Sequence, residues 1–108
     1  MERRPLGCTG LEISALAFGT MSFGAAADEG ESARLYAACR EAGIDVFDCA
    51  DVYADGYAEE ILGRLAAHER ESVVLTTKAG YGRAAEPGGR AGRAHRLRSV
   101  EASLRRLG

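Results

Sequence analysis

The sequence predicts an α/β fold with parallel strands, entered through a short hairpin. Three observations carry that expectation. Short apolar runs at residues 15–18, 44–47 and 73–77 are each separated from the next by a stretch with helical spacing. Strands that alternate with helices pair in parallel through right-handed crossovers. The third observation is local: Gly and capping residues stand where each stretch should begin or end.

Leu6-Gly7-Cys8-Thr9-Gly10-Leu11-Glu12-Ile13 reads as two short alternating segments around a Thr-Gly turn. Ala15, Leu16, Ala17 and Phe18 follow as a buried strand that ends at Gly19-Thr20, and residues 24–27 form a small-residue loop. Asp28 with Glu31 is a helix-start signal. Leu35, Ala38, Cys39 and Ala42 then make one apolar stripe, which Gly43 stops. Ile44, Val46 and Phe47 form the second strand. A second helix carries Ala58, Ile61, Leu62, Leu65 and Ala66, and the third strand covers residues 73–77. A loop rich in Gly and Arg runs from Ala79 to about Ala94. A last helix aligns Leu97, Val100, Leu104 and Leu107, with Arg98, Arg105 and Arg106 off that face.

Composition narrows the class. The 108 residues carry a net charge of −2, unevenly placed: residues 1–77 hold 6 basic and 14 acidic side chains, residues 78–108 hold 8 and 2. The basic region brings no aromatic stacking platform and no recognised nucleic-acid motif, so no nucleic-acid partner is expected. The two regions attract each other, or the basic one is a solvated loop and helix face. Cys8, Cys39 and Cys49 form no C-x-x-C pair, which favours reduced thiols and a cytoplasmic setting. No run of about 18 apolar residues exists, so no membrane partner is expected. No metal-ligand spacing stands out either.

One lysine stands among 13 arginines. Arginine serves as well on a solvated surface, but not where a compact ammonium must meet a carboxylate and a phenol. Lys78 follows the third strand and Asp48 ends the second, so both fall on the carboxyl edge of the sheet, where α/β folds place their chemistry. Tyr53, five residues beyond Asp48, can fold back over that edge. A free phenol has a pKa near ~10, too high for easy proton donation at neutral pH. A nearby ammonium stabilises a phenolate, and a carboxylate keeps the ammonium charged. That cluster would suit a general acid for a carbonyl oxygen. Spacing alone leaves a second reading open: Asp48 capping a loop, Tyr53 packing on the second helix, Lys78 in solvent.

The residues around this cluster resemble a known family. Gly43-Ile44-Asp45-Val46-Phe47-Asp48-Cys49-Ala50-Asp51-Val52-Tyr53 is similar to the aldo-keto reductase signature G-x-x-x-F-D-T-A-x-x-Y. Leu6 to Leu11 and Gly19-Thr20-Met21 resemble the family's opening hairpin and first strand. Glu59-Glu60-Ile61-Leu62-Gly63 resembles its second helix, Thr76-Thr77-Lys78 its third strand end, and the stretch from Val100 to Gly108 its third helix. The resemblance covers the whole chain. It implies a hairpin plus the first three β/α units of a (β/α)₈ TIM barrel, with residues 1–108 as a partial, NADP-dependent domain. A complete barrel needs roughly 250 residues.

By that resemblance, Tyr53 is the proton donor, with Asp48 and Lys78 tuning it. Gly19, Thr20, Met21 and Asp48 would lie beside the nicotinamide of NADPH, or of NADH. The substrate would be a small carbonyl compound, reduced by hydride transfer in the complete protein, the isolated chain having little or no activity. Alternatives are a cofactor-binding or sensor module without catalysis, as some family members are subunits of larger assemblies, and a fragment without function of its own.

Three positions depart from the family. Cys49 replaces Thr or Ser, Ala54 replaces a common Gly, and Ala58 replaces a Ser that caps the second helix, a loss Asp55 could make good. The family's catalytic histidine, at the end of a fourth strand, has no counterpart here. His68 and His95 read as surface or loop residues. Gly80-Tyr81-Gly82-Arg83-Ala84-Ala85 fits a dinucleotide pattern, but Glu86-Pro87-Gly88-Gly89 breaks the helix that pattern must open. Residues 79–94 read instead as a βα loop able to cover a ligand. The open sheet edges and uncovered apolar faces predict self-association or pairing with a completing chain.

Overall fold

A computed structural model describes residues 1–80 and 92–108. A hairpin of β1 (Arg3–Pro5) and β2 (Glu12–Ser14) is followed by β3 (Ala17–Gly19), α1 (Glu29–Glu41), β4 (Val46–Asp48), α2 (Tyr57–Ala66), β5 (Val74–Thr76) and α3 (Arg93–Leu107). Short 3₁₀ turns at Tyr53–Gly56 and Ala67–Ser72 flank α2. Strands β3, β4 and β5 form one parallel sheet in that order, with Gly19, Asp48 and Thr76 in register at its carboxyl edge. The α/β class, the order of elements and the parallel pairing are as the sequence predicts.

The hairpin forms further toward the N-terminus than its apolar alternation suggests. Arg3, Arg4 and Pro5 pair with Ser14, Ile13 and Glu12, and residues 6–11 are the connection. Gly7 and Gly10 there take positive φ, and the Leu6 N–H donates to the Leu11 carbonyl at 2.9 Å. A charged anchor sets this register. Asp45, nearly buried just before β4, accepts from the Ser14 N–H at 2.8 Å and from the Arg3 guanidinium. Burial alone would raise its pKa, but the Ser14 N–H and Arg3 outweigh that and hold it below the ordinary range.

Helix α1 begins as the sequence predicts: Asp28 is its N-cap and accepts from the Glu31 N–H at 2.8 Å. It ends where Gly43 takes a φ of +81°, a conformation glycine adopts without penalty. Its buried face, however, is Ser32, Tyr36 and Cys39 with Leu35 alongside, while Ala38 and Ala42 are exposed. The stripe is rotated because Tyr36 stacks on Phe47 of β4, their ring centroids 4.6 Å apart. Its hydroxyl donates to Glu69, which also binds Arg40. Such aromatic pairs add about 0.5–1.5 kcal/mol beyond the area they bury.

Helix α2 buries Ala58, Ile61, Leu62 and Ala66 completely, with Leu65 against the core. Its Gly63 lets α3 approach: a Cβ there would lie 2.3 Å from the Arg106 carbonyl oxygen, closer than atoms can come. One expected burial does not occur, and one apolar face stays open. In β3, Ala17 and Gly19 are exposed and Phe18 only partly covered, because β3 is an edge strand. On α3, Leu97, Val100 and Leu104 are exposed and only Leu107 of the expected stripe is buried. Among the described residues, nothing packs over that face. Helix α3 also starts earlier than the loop reading allows, so His95 sits in its first turns. The remainder of that loop, and with it the pattern at residues 80–85 beyond Gly80, lies outside the described residues.

The Asp45 anchor gives a pH dependence of known sign. A carboxylate with a depressed folded-state pKa stabilises above its unfolded value, near ~3.9, and that contribution fades as pH falls through the lower folded value. Asp45→Asn should lower stability at neutral pH by about 1–3 kcal/mol, typical of lost hydrogen bonds to a charged group. It should also flatten the stability loss below about pH 4. Urea unfolding across the acid range, read for both proteins, checks this; parallel curves would rule it out.

Candidate active site

The carboxyl edge of the sheet gathers three sequence-predicted residues. The Lys78 ammonium lies 2.7 Å from Asp48 Oδ2 and donates also to the Cys49 carbonyl at 2.5 Å. Its Nζ sits 5.1 Å from the centroid of the Tyr53 ring, a cation–π distance. Backbone bonds hold this arrangement. The Cys49 N–H donates to the Thr76 carbonyl, the Asp51 N–H to the Lys78 carbonyl at 3.1 Å, and the Tyr53 N–H to the Ala50 carbonyl at 3.2 Å. The loop after β4 is thereby curled over the strand ends, which brings Tyr53 to Lys78.

Charge in the cluster is mutually supported. Burial pulls the Lys78 pKa down, but the Asp48 carboxylate and, less strongly, Tyr53 outweigh it and raise it above the ordinary lysine value. For Asp48, burial acts upward, and Lys78 with Thr76 more than offsets it, leaving the pKa lowered. Both side chains stay about half in solvent, 52% for Lys78 and 41% for Asp48, so water screens the pair and its role lies in geometry more than in stability. A cavity of about 300 Å³ opens beside them, lined by Ala50, Asp51, Val52, Tyr53, Lys78 and Ala79.

The other predicted residues are placed less uniformly. Gly19 is exposed at the end of β3, with open space where a side chain would stand, and Met21 is 69% exposed. Thr20 is buried, and its N–H and hydroxyl both donate to the Asp48 carbonyl, at 2.9 and 3.1 Å. It fastens β3 to β4 at the site. Gly19 and Met21 leave an open surface there. His68 is exposed in the turn after α2, and His95 Nε2 lies 3.3 Å from Ser99 on α3. Neither belongs to the cluster.

Sequence reasoning missed Thr76, whose hydroxyl donates to Asp48 Oδ1 at 2.7 Å. The signal was available, since Thr76 is the cross-strand partner of Asp48 once the register is known. Cys49 is a weak partner, as its chemistry suggests: its Sγ lies 3.9 Å from the Ala50 carbonyl and also meets the Thr20 side chain, and burial outweighs both and pushes the thiol pKa up. Asp55 does not cap α2; Gly56 occupies the N-cap, with no side-chain hydrogen bond. Asp55 is instead in the left-handed region, as is Ala54, at φ of 58° and 48°.

This geometry can be set beside known proteins. The aldo/keto reductase family model matches residues 15–108. The chain belongs to the aldo/keto reductase family. A holo-form aldo-keto reductase from Bacillus halodurans superposes with a TM-score of 0.83 at 33% identity, over 99% of this chain and 36% of that one. Two curated relatives are each named "Probable voltage-gated potassium channel subunit beta". The one from Oryza sativa subsp. japonica is 39% identical and the one from Arabidopsis thaliana 37%, each over 99% of this chain. The chain spans 34% of the length of either relative. The fold is that of part of an aldo-keto reductase TIM barrel. Among the described residues no helix is long and apolar enough to cross a membrane, and no group of three His, Cys, Asp or Glu could hold a metal.

The strained turn before α2 yields a test. An L-residue in the left-handed region costs roughly 1–2 kcal/mol. Glycine removes that cost but adds about 0.4–1 kcal/mol of unfolded-state entropy. Ala54→Gly should therefore be stabilising by up to about 1 kcal/mol, read as a higher urea midpoint with unchanged slope. A lower midpoint would contradict the strained geometry.

Proposed function

We propose that this chain supplies the proton-transfer side of a carbonyl reductase, with Tyr53 as general acid and Lys78 and Asp48 as its electrostatic support. The observation that carries the reading is the convergence of a carboxylate, an ammonium and a phenol on one sheet edge, beside a cavity. The cofactor is NADPH, with NADH as the alternative, and it supplies the hydride. Gly19, Met21 and Asp48 would flank its nicotinamide, with Thr20 fixing the Asp48 backbone from beneath. The substrate is a small aldehyde or ketone seated against Val52 and Tyr53.

The chemistry of the residues follows from charge. As the carbonyl oxygen gains negative charge, the Tyr53 hydroxyl delivers a proton to it. The Lys78 ammonium, beside the ring, stabilises the resulting phenolate. Asp48 keeps that ammonium charged and aimed, and Thr76 holds the carboxylate. In a protein completing the barrel, Tyr53→Phe should cut aldehyde reduction at least ~10²-fold, the usual worth of a general acid, while NADPH still binds. Loss of nicotinamide fluorescence with time measures the first, and fluorescence titration the second. Unchanged reduction would remove Tyr53 from the mechanism.

A second reading is favoured by the names of the two plant relatives. In it the chain is part of a cofactor-binding subunit of a larger assembly, without turnover of its own. The same pair of measurements separates the two, because that reading expects cofactor binding with no reduction in either protein.

A further inference from the structure

We propose that Glu59, Thr77 and Arg106 form a brace, centred on the buried Glu59 carboxylate, that positions Lys78 from outside the candidate site. Glu59 on α2 is completely buried. Its Oε1 accepts from the Thr77 hydroxyl at 2.5 Å, and its Oε2 accepts from Arg106 Nε at 2.7 Å and Nη2 at 2.6 Å. Thr77 is the residue between Thr76, which holds Asp48, and Lys78, which pairs with it. Side chains alternate along an extended strand. Thr76 and Lys78 therefore address the site while Thr77 faces the helices, where Glu59 waits.

The two threonines thus fix the strand end from opposite sides. Burying a carboxylate and a guanidinium is costly, and such a pair is often no more stabilising than apolar residues of the same volume. What the trio adds is geometry. Glu59 satisfies both Thr77 and Arg106, and Arg106 arrives on α3, whose close approach needs Gly63. Docking of α3 is therefore coupled through Glu59 and Thr77 to the residue that carries the ammonium. This coupling matters for catalysis only if the acid–base reading of Lys78 holds; the brace itself does not depend on it.

The test uses the lone lysine. Acetic anhydride acetylates an uncharged, unpaired amine, and mass spectrometry of the Lys78 peptide gives its rate in the full chain. Asp48→Asn serves as the control that releases the ammonium. Thr77→Val removes only the hydroxyl link and should speed acetylation of Lys78 severalfold, while Thr77→Ser should keep the parental rate. Arg106→Lys, which loses the forked contact, should also be faster. A folded Thr77→Val protein with the parental rate would overturn the brace. Should circular dichroism show Thr77→Val unfolded, Arg106→Lys decides by the same criterion. If both lose the fold, the trio is a structural weld only and the positioning claim fails. Because the readout involves no turnover, failure of the reductase reading leaves this result standing, and the converse also holds.

Discussion

The contact between the Lys78 ammonium and the Asp48 carboxylate organises the carboxyl edge of this sheet. It joins the ends of two neighbouring strands, and almost every local feature of the site serves it. Thr76 supplies a donor to the second carboxylate oxygen. Thr20 ties the Asp48 carbonyl to β3, and the Cys49 carbonyl takes another of the ammonium's protons. The loop to Tyr53 is in turn fastened to the Lys78 carbonyl through Asp51. Remove the ion pair, and the ammonium beside the Tyr53 ring loses the carboxylate that holds it there.

The site stands on an asymmetric support. Toward α1 and α2, the core is well filled: Phe23, Phe47, Ile61 and Leu62 are all inaccessible to water. Toward β3's free edge and along α3, apolar side chains face outward. A well-packed core thus carries one side of the candidate site, while the apolar surfaces on the other are uncovered among the described residues. This is consistent with a chain that matches about a third of its relatives' length.

Much of this was legible in sequence because it rests on local rules. Asp28 at an N-cap, Gly43 at a helix stop and the period of Ile61, Leu62 and Ala66 need only neighbouring residues to interpret. A single lysine amid arginines pointed to the site for a chemical reason. What was not legible depends on partners distant in the chain. Asp45 reaches back to Arg3 and sets the hairpin register. Tyr36 turns α1 toward Phe47 and Glu69. Glu59 is buried against Arg106, 47 positions on, a contact no local pattern announces. Leu97 and Leu104 share an apolar face that stays exposed, because periodicity says which face is apolar, never what covers it.

The claim that Asp48 keeps Lys78 charged and in place is open to one direct measurement. With a single lysine, selective ¹⁵N-lysine labelling gives one ammonium signal, whose pH titration can be followed by NMR. The account predicts that Lys78 titrates above the ordinary lysine range and that Asp48→Asn brings it down. Titration at or below that range, unmoved by Asp48→Asn, would mean that the two side chains are not paired in solution and that the proposed acid has no such support.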